Sequence, residues 1–226
     1  MVGGDDSQVG VLMDRELPAG GLATTALALD WTSRTLYFAS QEPGELGTSL
    51  MASDTNGTRV VRIVTLNTLL NNILLLPHLG LMFLTDTDPN TGLQTITKAK
   101  MDGTGREVIF STSAGEEISS LTSNFDVRDP RVYWIHQDQQ KQSIVELQVD
   151  GNVRRNILTN LNNVTTLCCY KNKIYYARAE ENNPIYIFEQ DSVETIRERI
   201  FRNNTKAVLS LAVYDPGLQE VRLIFW

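Results

Sequence analysis

The chain has 226 residues, 42% of them hydrophobic and 21% charged, enough to bury a sizeable core in one large domain or two small ones. Its net charge of -7 and pI near 4.9 argue against a polyanionic partner such as nucleic acid, which needs clustered Lys and Arg to displace counterions. The densest basic run, 197–202, is interrupted by Glu198, and no apolar run approaches the roughly 18 to 20 residues that cross a bilayer; the richest, 69–84, is broken by Asn71, Asn72, Pro77, His78 and Gly80.

In chain order, residues 1–10 lack the basic start and apolar centre of a secretory signal, which read literally predicts a cytoplasmic protein. Residues 9–14 resemble the closing arm of a hairpin such as 106–110 and precede the first repeat. Alternating small and aliphatic residues at 25–29 then lead through Asp30 and Trp31 into the apolar-aromatic run 36–40, a strand, a turn and a second strand. That pattern recurs. Its leading aromatics are Tyr37, Phe83, Tyr133, Tyr175 and Phe225, at intervals of 46, 50, 42 and 50 residues. A period of 40 to 50 residues built from short strands is the mark of propeller blades.

Each repeat carries a second signal further along, a turn dipeptide between two alternating runs: Asn56-Gly57, Asp102-Gly103 and Asp150-Gly151. These tolerate the positive φ of a tight hairpin. The fourth repeat has Asp191-Ser192 there and a looser predicted turn. Strands expected to line the centre, at 25–29, 73–76, 120–124, 165–169 and 207–213, are poor in charge, whereas the hairpin arms carry the Arg, Lys and Glu. The best helical segment, 193–201, occupies a hairpin-arm position and reads as strand. The predicted fold is therefore all-β, a β-propeller of four-stranded antiparallel blades at about 22–66, 67–114, 115–160 and 161–205. Residues 206–226 with 1–15 supply a partial or composite blade in one propeller domain spanning 1–226, and five and six blades both remain open.

Chemistry is sparse. His78 in "LPHLG" reads as an exposed loop residue; His136, at a strand end, reads as an inter-blade hydrogen-bond partner or a contact titrating near pH 6.5. The segment "GTGRE" is too short to cradle phosphate. Asp86, Asp88 and Asn90 alternate as calcium ligands would, without the distal Glu of an EF-hand, and read as a solvated turn. The aromatics Trp31, Tyr37, Phe38, Phe83, Tyr133, Trp134, Tyr175 and Tyr176 read as core wedged between blades. The adjacent Cys168 and Cys169 point to opposite faces of a strand, as two buried thiols or with one bonded to chain outside this sequence. Three sequons, at Asn56, Asn163 and Asn203, are candidate glycosylation sites. No catalytic, cofactor-binding or metal-binding residue is assigned.

Residues 27–31, Leu-Ala-Leu-Asp-Trp, followed by Leu36-Tyr37-Phe38, together with Phe83-Leu84-Thr85-Asp86 and Tyr133-Trp134, resemble repeats of the LDL-receptor class B, or YWTD, six-bladed β-propeller. That family occurs in the LDL-receptor group, nidogen and Sevenless-type receptor tyrosine kinases, and the likeness covers nearly the whole chain. Ser40, His136 and Arg178 stand where the family's Asp ties neighbouring blades, so those ties must be partly replaced. The resemblance implies an extracellular setting, in which a fragment of a longer ectodomain need not begin with a signal. It also implies a non-catalytic module that binds a protein ligand or adjacent ectodomain through its loops, with no nucleic acid and no membrane insertion. Two other readings stay open: a structural spacer, and a calcium-dependent propeller hydrolase or lactonase, which would need Asp30, Asn124 or Asp126 to project into the axis.

Overall fold

In a computed structural model, the structure describes residues 23–41, 44–139, 141–150, 153–171, 173–190, 196–203, 208, 210 and 211. They form four antiparallel sheets of four strands, each laid out in chain order. Blade 1 comprises β1 (Ala23–Asp30), β2 (Thr35–Gln41), β3 (Thr48–Asp54) and β4 (Val60–Leu66). Blade 2 comprises β5 (Leu69–Leu76), β6 (Leu81–Thr87), β7 (Gln94–Lys100) and β8 (Glu107–Ser111), with a 3-10 turn, Pro77–Leu79, between its first two strands. Blade 3 holds β9 (Glu116–Ser123), β10 (Arg131–Asp138), β11 (Lys141–Gln148) and β12 (Val153–Leu161); blade 4 holds β13 (Val164–Tyr170), β14 (Lys173–Arg178), β15 (Ile185–Gln190) and β16 (Ile196–Arg202). The first strands of successive blades pack on one another, β1 on β5, β5 on β9 and β9 on β13, as the inner strands of a propeller do. The repeat read from the sequence is this architecture. The 193–201 segment is strand from Ile196 onward, and the expectations for residues 1–22, for the 191–192 turn and for most of 207–226 lie outside the described residues.

The turn dipeptides act as expected where they are described. Gly57 at φ 71° donates to the Asp54 carbonyl at 3.0 Å, and Gly103 sits at φ 83°. A Cβ on Gly103 would also lie 2.8 Å from the Ile63 side chain of blade 1, so that hairpin needs glycine for conformation and for room.

Alternation along the middle strands explains how the blades hold together, because neighbours in sequence face opposite wedges. Tyr37, Ala39, Leu50 and Ala52 of blade 1 pack with Leu70, Ile73, Met82 and Leu84 of blade 2. The alternate residues Leu74, Leu76, Phe83 and Ile96 pack with Val132, Trp134, Val145 and Leu147 of blade 3. Tyr133, Ile135 and Ile144 then pack with Leu167, Ile174, Tyr176 and Phe188 of blade 4. Beyond blade 4, Ala177 and Ile185 pack with Val208, whose carbonyl accepts from Thr165 Oγ1 at 2.7 Å. Trp134, Tyr176 and Phe83 are fully buried, and each contributes on the order of 150 to 250 Å² of burial. On β1, Ala26 and Ala28 pack toward blade 2 while the intervening Leu27 and Leu29 are 61% and 44% exposed.

Polar clasps reinforce the wedges from the start of each third strand. Thr48 Oγ1 accepts from Leu70 N at 3.2 Å, Gln94 Oε1 from Ile118 N at 2.5 Å, and Gln142 Oε1 from Val164 N at 2.6 Å. Each side chain satisfies a backbone donor in the first strand of the next blade. Near the axis, Thr25 Oγ1 donates to the Leu70 carbonyl at 2.6 Å and Ser120 Oγ to the Leu167 carbonyl at 3.4 Å. Ser120 reaches that position through a bulge at φ 53°.

Candidate functional site

The turns that leave the inner strands gather at one end of the propeller, where the residues with functional potential converge. At the end of β1, the Asp30 carboxylate accepts from Thr32 N (2.9 Å), Thr32 Oγ1 (2.7 Å), Ser33 N (3.3 Å) and Ser33 Oγ (2.7 Å). Burial pushes its pKa up, and the bonds from Ser33 and Thr32 outweigh that and hold it below the ordinary aspartate value. Because Asp30 closes the turn, Trp31 falls in the turn rather than in a strand. It is half-exposed, which corrects its reading as a wedge residue.

The β9–β10 loop is stiffened in the same manner. Asn124 Oδ1 accepts from Asp126 N at 3.2 Å and Arg131 N at 2.9 Å, its amide donates to the Asp129 carbonyl at 2.9 Å, and Asp126 Oδ1 accepts from Arg128 N at 2.7 Å and Asp129 N at 3.2 Å. The backbone bonds from Arg128 and Asp129 hold the Asp126 carboxyl below its ordinary value. Within this frame Phe125, at φ 53°, turns edge-on toward Trp31, with centroids 5.6 Å apart and planes at 72°. A ring of blade 1 thus meets a ring of blade 3 over blade 2. Beneath them lies the 3-10 turn with His78, exposed as expected; partial burial lowers its pKa, and the neighbouring Asp126 works in the opposite direction. Val127, 65% exposed, and Tyr170 with Lys171 stacked at 4.9 Å extend this end.

Inside the arc, a channel of about 330 Å³ is lined by Asn72, Ser120, Thr122, Thr165, Thr166 and Ser210, together with leucines. Asp30, Asn124 and Asp126 are not among the residues lining it; they stand at its end and are engaged in their own turns. A cleft of about 570 Å³ between blades 1 and 2 holds Asp86, Asp88 and Arg106. There Asp88 Oδ1 accepts from Asn90 N at 2.8 Å, while the buried Asp86 accepts from Thr95 Oγ1 at 2.9 Å and burial raises its pKa. Among the described residues, no three His, Cys, Asp or Glu side chains come together as a metal site.

The remaining positions of interest are structural. His136 contacts the neighbouring blade through its ring, edge-on to Phe110 at 5.2 Å, while its Nε2 lies 3.5 Å from Glu116 of its own blade. The inter-blade tie expected as a hydrogen bond is thus an aromatic contact with Phe110 of β8. Arg178 donates to Tyr176 Oη at 3.3 Å and Glu198 at 3.2 Å, and lies 4.5 Å from the Tyr186 ring centroid, all within blade 4. Cys168 and Cys169 are buried and form no disulfide among the described residues, and burial pushes the Cys168 thiol up to about 12. Asn56, Asn163 and Asn203 are exposed. Phe125 and the Thr48, Gln94 and Gln142 clasps escaped the sequence reading; the turn-rich "SNFDVRDP" was the available signal for the first.

No family model matches the chain. Solved structures do. A chain of a nidogen/laminin complex aligns with a TM-score of 0.66 at 21% identity, covering 84% of this chain and 68% of that one. An oligogalacturonate lyase in complex with manganese aligns with a TM-score of 0.67 at 12% identity, covering 91% and 58%. XC5397 from Xanthomonas campestris, a gluconolactonase, aligns with a TM-score of 0.59 at 12% identity, covering 90% and 68%. The chain spans little more than half to two thirds of these neighbours, and at such identities the shared property is the fold.

Proposed function

We propose that this chain is a non-catalytic, extracellular propeller module that binds a protein ligand or a neighbouring domain of the same ectodomain through the end where the inner strands emerge. The observation that carries the reading is the Trp31–Phe125 contact. Two half-exposed rings from blades 1 and 3 are held edge to face by loops that their own Asp and Asn side chains have stiffened. Rigid aromatic anchors on a pre-organised scaffold concentrate binding energy at little entropic cost. The exposed sequon asparagines and the resemblance to a chain of a nidogen/laminin complex support the extracellular half of the proposal. The hydrolase reading draws less support, because Asp30, Asn124 and Asp126 are engaged in their own turns.

The test is a binding screen of the folded chain against purified ectodomains and matrix proteins, laminin included. The expected result is a partner whose affinity falls at least about ten-fold, or about 1.4 kcal/mol, with either Trp31→Ala or Phe125→Ala. A screen without a partner, partners indifferent to both substitutions, or chelator-sensitive turnover of lactones would overturn the proposal.

A further inference from the structure

The propeller sorts its charges along its axis in a way the linear sequence conceals. Strands alternate direction across each blade, so the turns after first and third strands share one end with the starts of the fourth strands, and the remaining turns share the other end. The far end carries Glu45, Asp88, Glu116, Glu117, Asp138 and Glu180. The near end carries a rim of exposed arginines on or just before the outermost strands: Arg59 and Arg62 in blade 1, Arg106 in blade 2, Arg154 and Arg155 in blade 3, and Arg199 in blade 4. Acids also stand at this end: Asp54 binds Thr58 and Asp102 accepts from Thr104 N at 2.9 Å within their own hairpins, and Asp150 is exposed at the blade 3 hairpin. Arg155 reaches Glu146 at 2.6 Å and Arg199 reaches Glu189 at 3.4 Å, yet both remain exposed; Glu107 interrupts the rim in blade 2.

We infer that this rim binds a sulfated polysaccharide chain. Guanidinium groups match the geometry of sulfate oxygens and pair with them in a charge-assisted, bidentate way. The stations recur one blade apart, and the exposed apolar residues beside them, Val60 and Val61, Val108, Val153 and Ile200, are divided among four blades rather than gathered in one charge-depleted centre of the kind a stable protein interface requires. A linear polyanion needs only successive cationic stations along a curve. Because the chain as a whole carries -7, the attraction is local and strongly salt-dependent. The net charge that argued against a polyanion averages over the acidic far end and the arginine rim.

Heparin-affinity chromatography in a salt gradient tests this, with dextran resin as the uncharged control and polyglutamate as a competing probe. Wild-type chain is expected to bind heparin and not dextran, and heparin is expected to displace it from the resin better than polyglutamate. In Arg59→Gln/Arg106→Gln/Arg154→Gln, the slope of log affinity against log salt is expected to fall by about two, since each released counterion contributes about 0.7 to 0.9. Arg154 lies 4.8 Å from the Phe110 ring centroid, so the pair Arg59→Gln/Arg106→Gln is the variant that keeps this ring contact, with a fall of about one and a half. Lys141→Gln, at the acidic end, leaves retention unchanged. Wild-type chain in the flow-through, an unchanged slope in the double variant, equal weakening by Lys141→Gln, or preference for polyglutamate would each overturn the inference. Trp31 and Phe125 take no part in it, so it fails or stands separately from the proposed protein-binding function.

Discussion

Gln142, in the third strand of blade 3, grips both backbone groups of Val164, the first residue of blade 4. Its Oε1 accepts from Val164 N at 2.6 Å and its Nε2 donates to the Val164 carbonyl at 3.1 Å. One amide thus does across a blade boundary what a ladder residue does within a sheet. Gln142→Ala is expected to cost about 1 to 3 kcal/mol, because Val164 is buried and its N–H loses its partner. Gln142→Glu, which keeps the acceptor and loses the donor, should cost less. Midpoints of urea unfolding measure both, and equal losses would show that the acceptor does not matter.

Trp134 is fully buried between blades 2 and 3, 5.5 Å from Phe110. Trp134→Ala should destabilise by about 3 to 5 kcal/mol, since a strand pinned on both faces has little freedom to collapse into the cavity. Val153→Ala on the exposed outer strand should stay within about 0.5 kcal/mol. Denaturant titration of the two variants checks the contrast.

Asp30 makes stability depend on acid. Its pKa when folded lies below the ordinary 3.8, so near pH 3.8 the unfolded chain binds more protons than the folded one. The stabilisation is complete above that value and disappears as pH falls through the lower, folded pKa. Asp30→Asn should therefore be less stable than wild type by about 1 kcal/mol at pH 7, with the gap narrowing below about pH 4. Thermal melts at several pH values decide it; a gap constant from pH 7 to pH 3 would contradict the role assigned to the charge.

The three sequon asparagines are exposed, at a hairpin turn, between blades 3 and 4, and just past β16. Secretory expression should yield a glycosidase-sensitive band, and each of Asn56→Gln, Asn163→Gln and Asn203→Gln should remove one step of the mobility shift. An unshifted band would count against the extracellular assignment.

The blades were legible because a period near 46 residues is written in hydrophobic alternation and in Asn-Gly and Asp-Gly turns, both set by local physics. The clasps were not, because Thr48, Gln94 and Gln142 differ in chemistry and share only a place at the start of a third strand. Trp31 misled because it follows alternating apolar residues, while the Asp30 side chain turns the chain one position earlier. Phe125 was missed because it belongs to one loop of one blade, and the turn-rich segment around it marks a loop without marking which residue of it faces Trp31. The arginine rim was invisible because its members lie a blade apart in sequence and become neighbours only around the propeller edge.

Trp31 and Phe125 stand on blades 1 and 3, and blade 2 is the spacer that sets their separation. Its thickness is fixed by Leu84 and Met82 pressing one way and Phe83 the other. A change in the bulk of these hidden side chains would alter the angular pitch between the outer pair of blades and pull Trp31 and Phe125 apart or crowd them. If the proposed binding role holds, the calibre of that surface is set deep in the hydrophobic interior, and ligand preference would be retuned without touching any residue that meets the ligand.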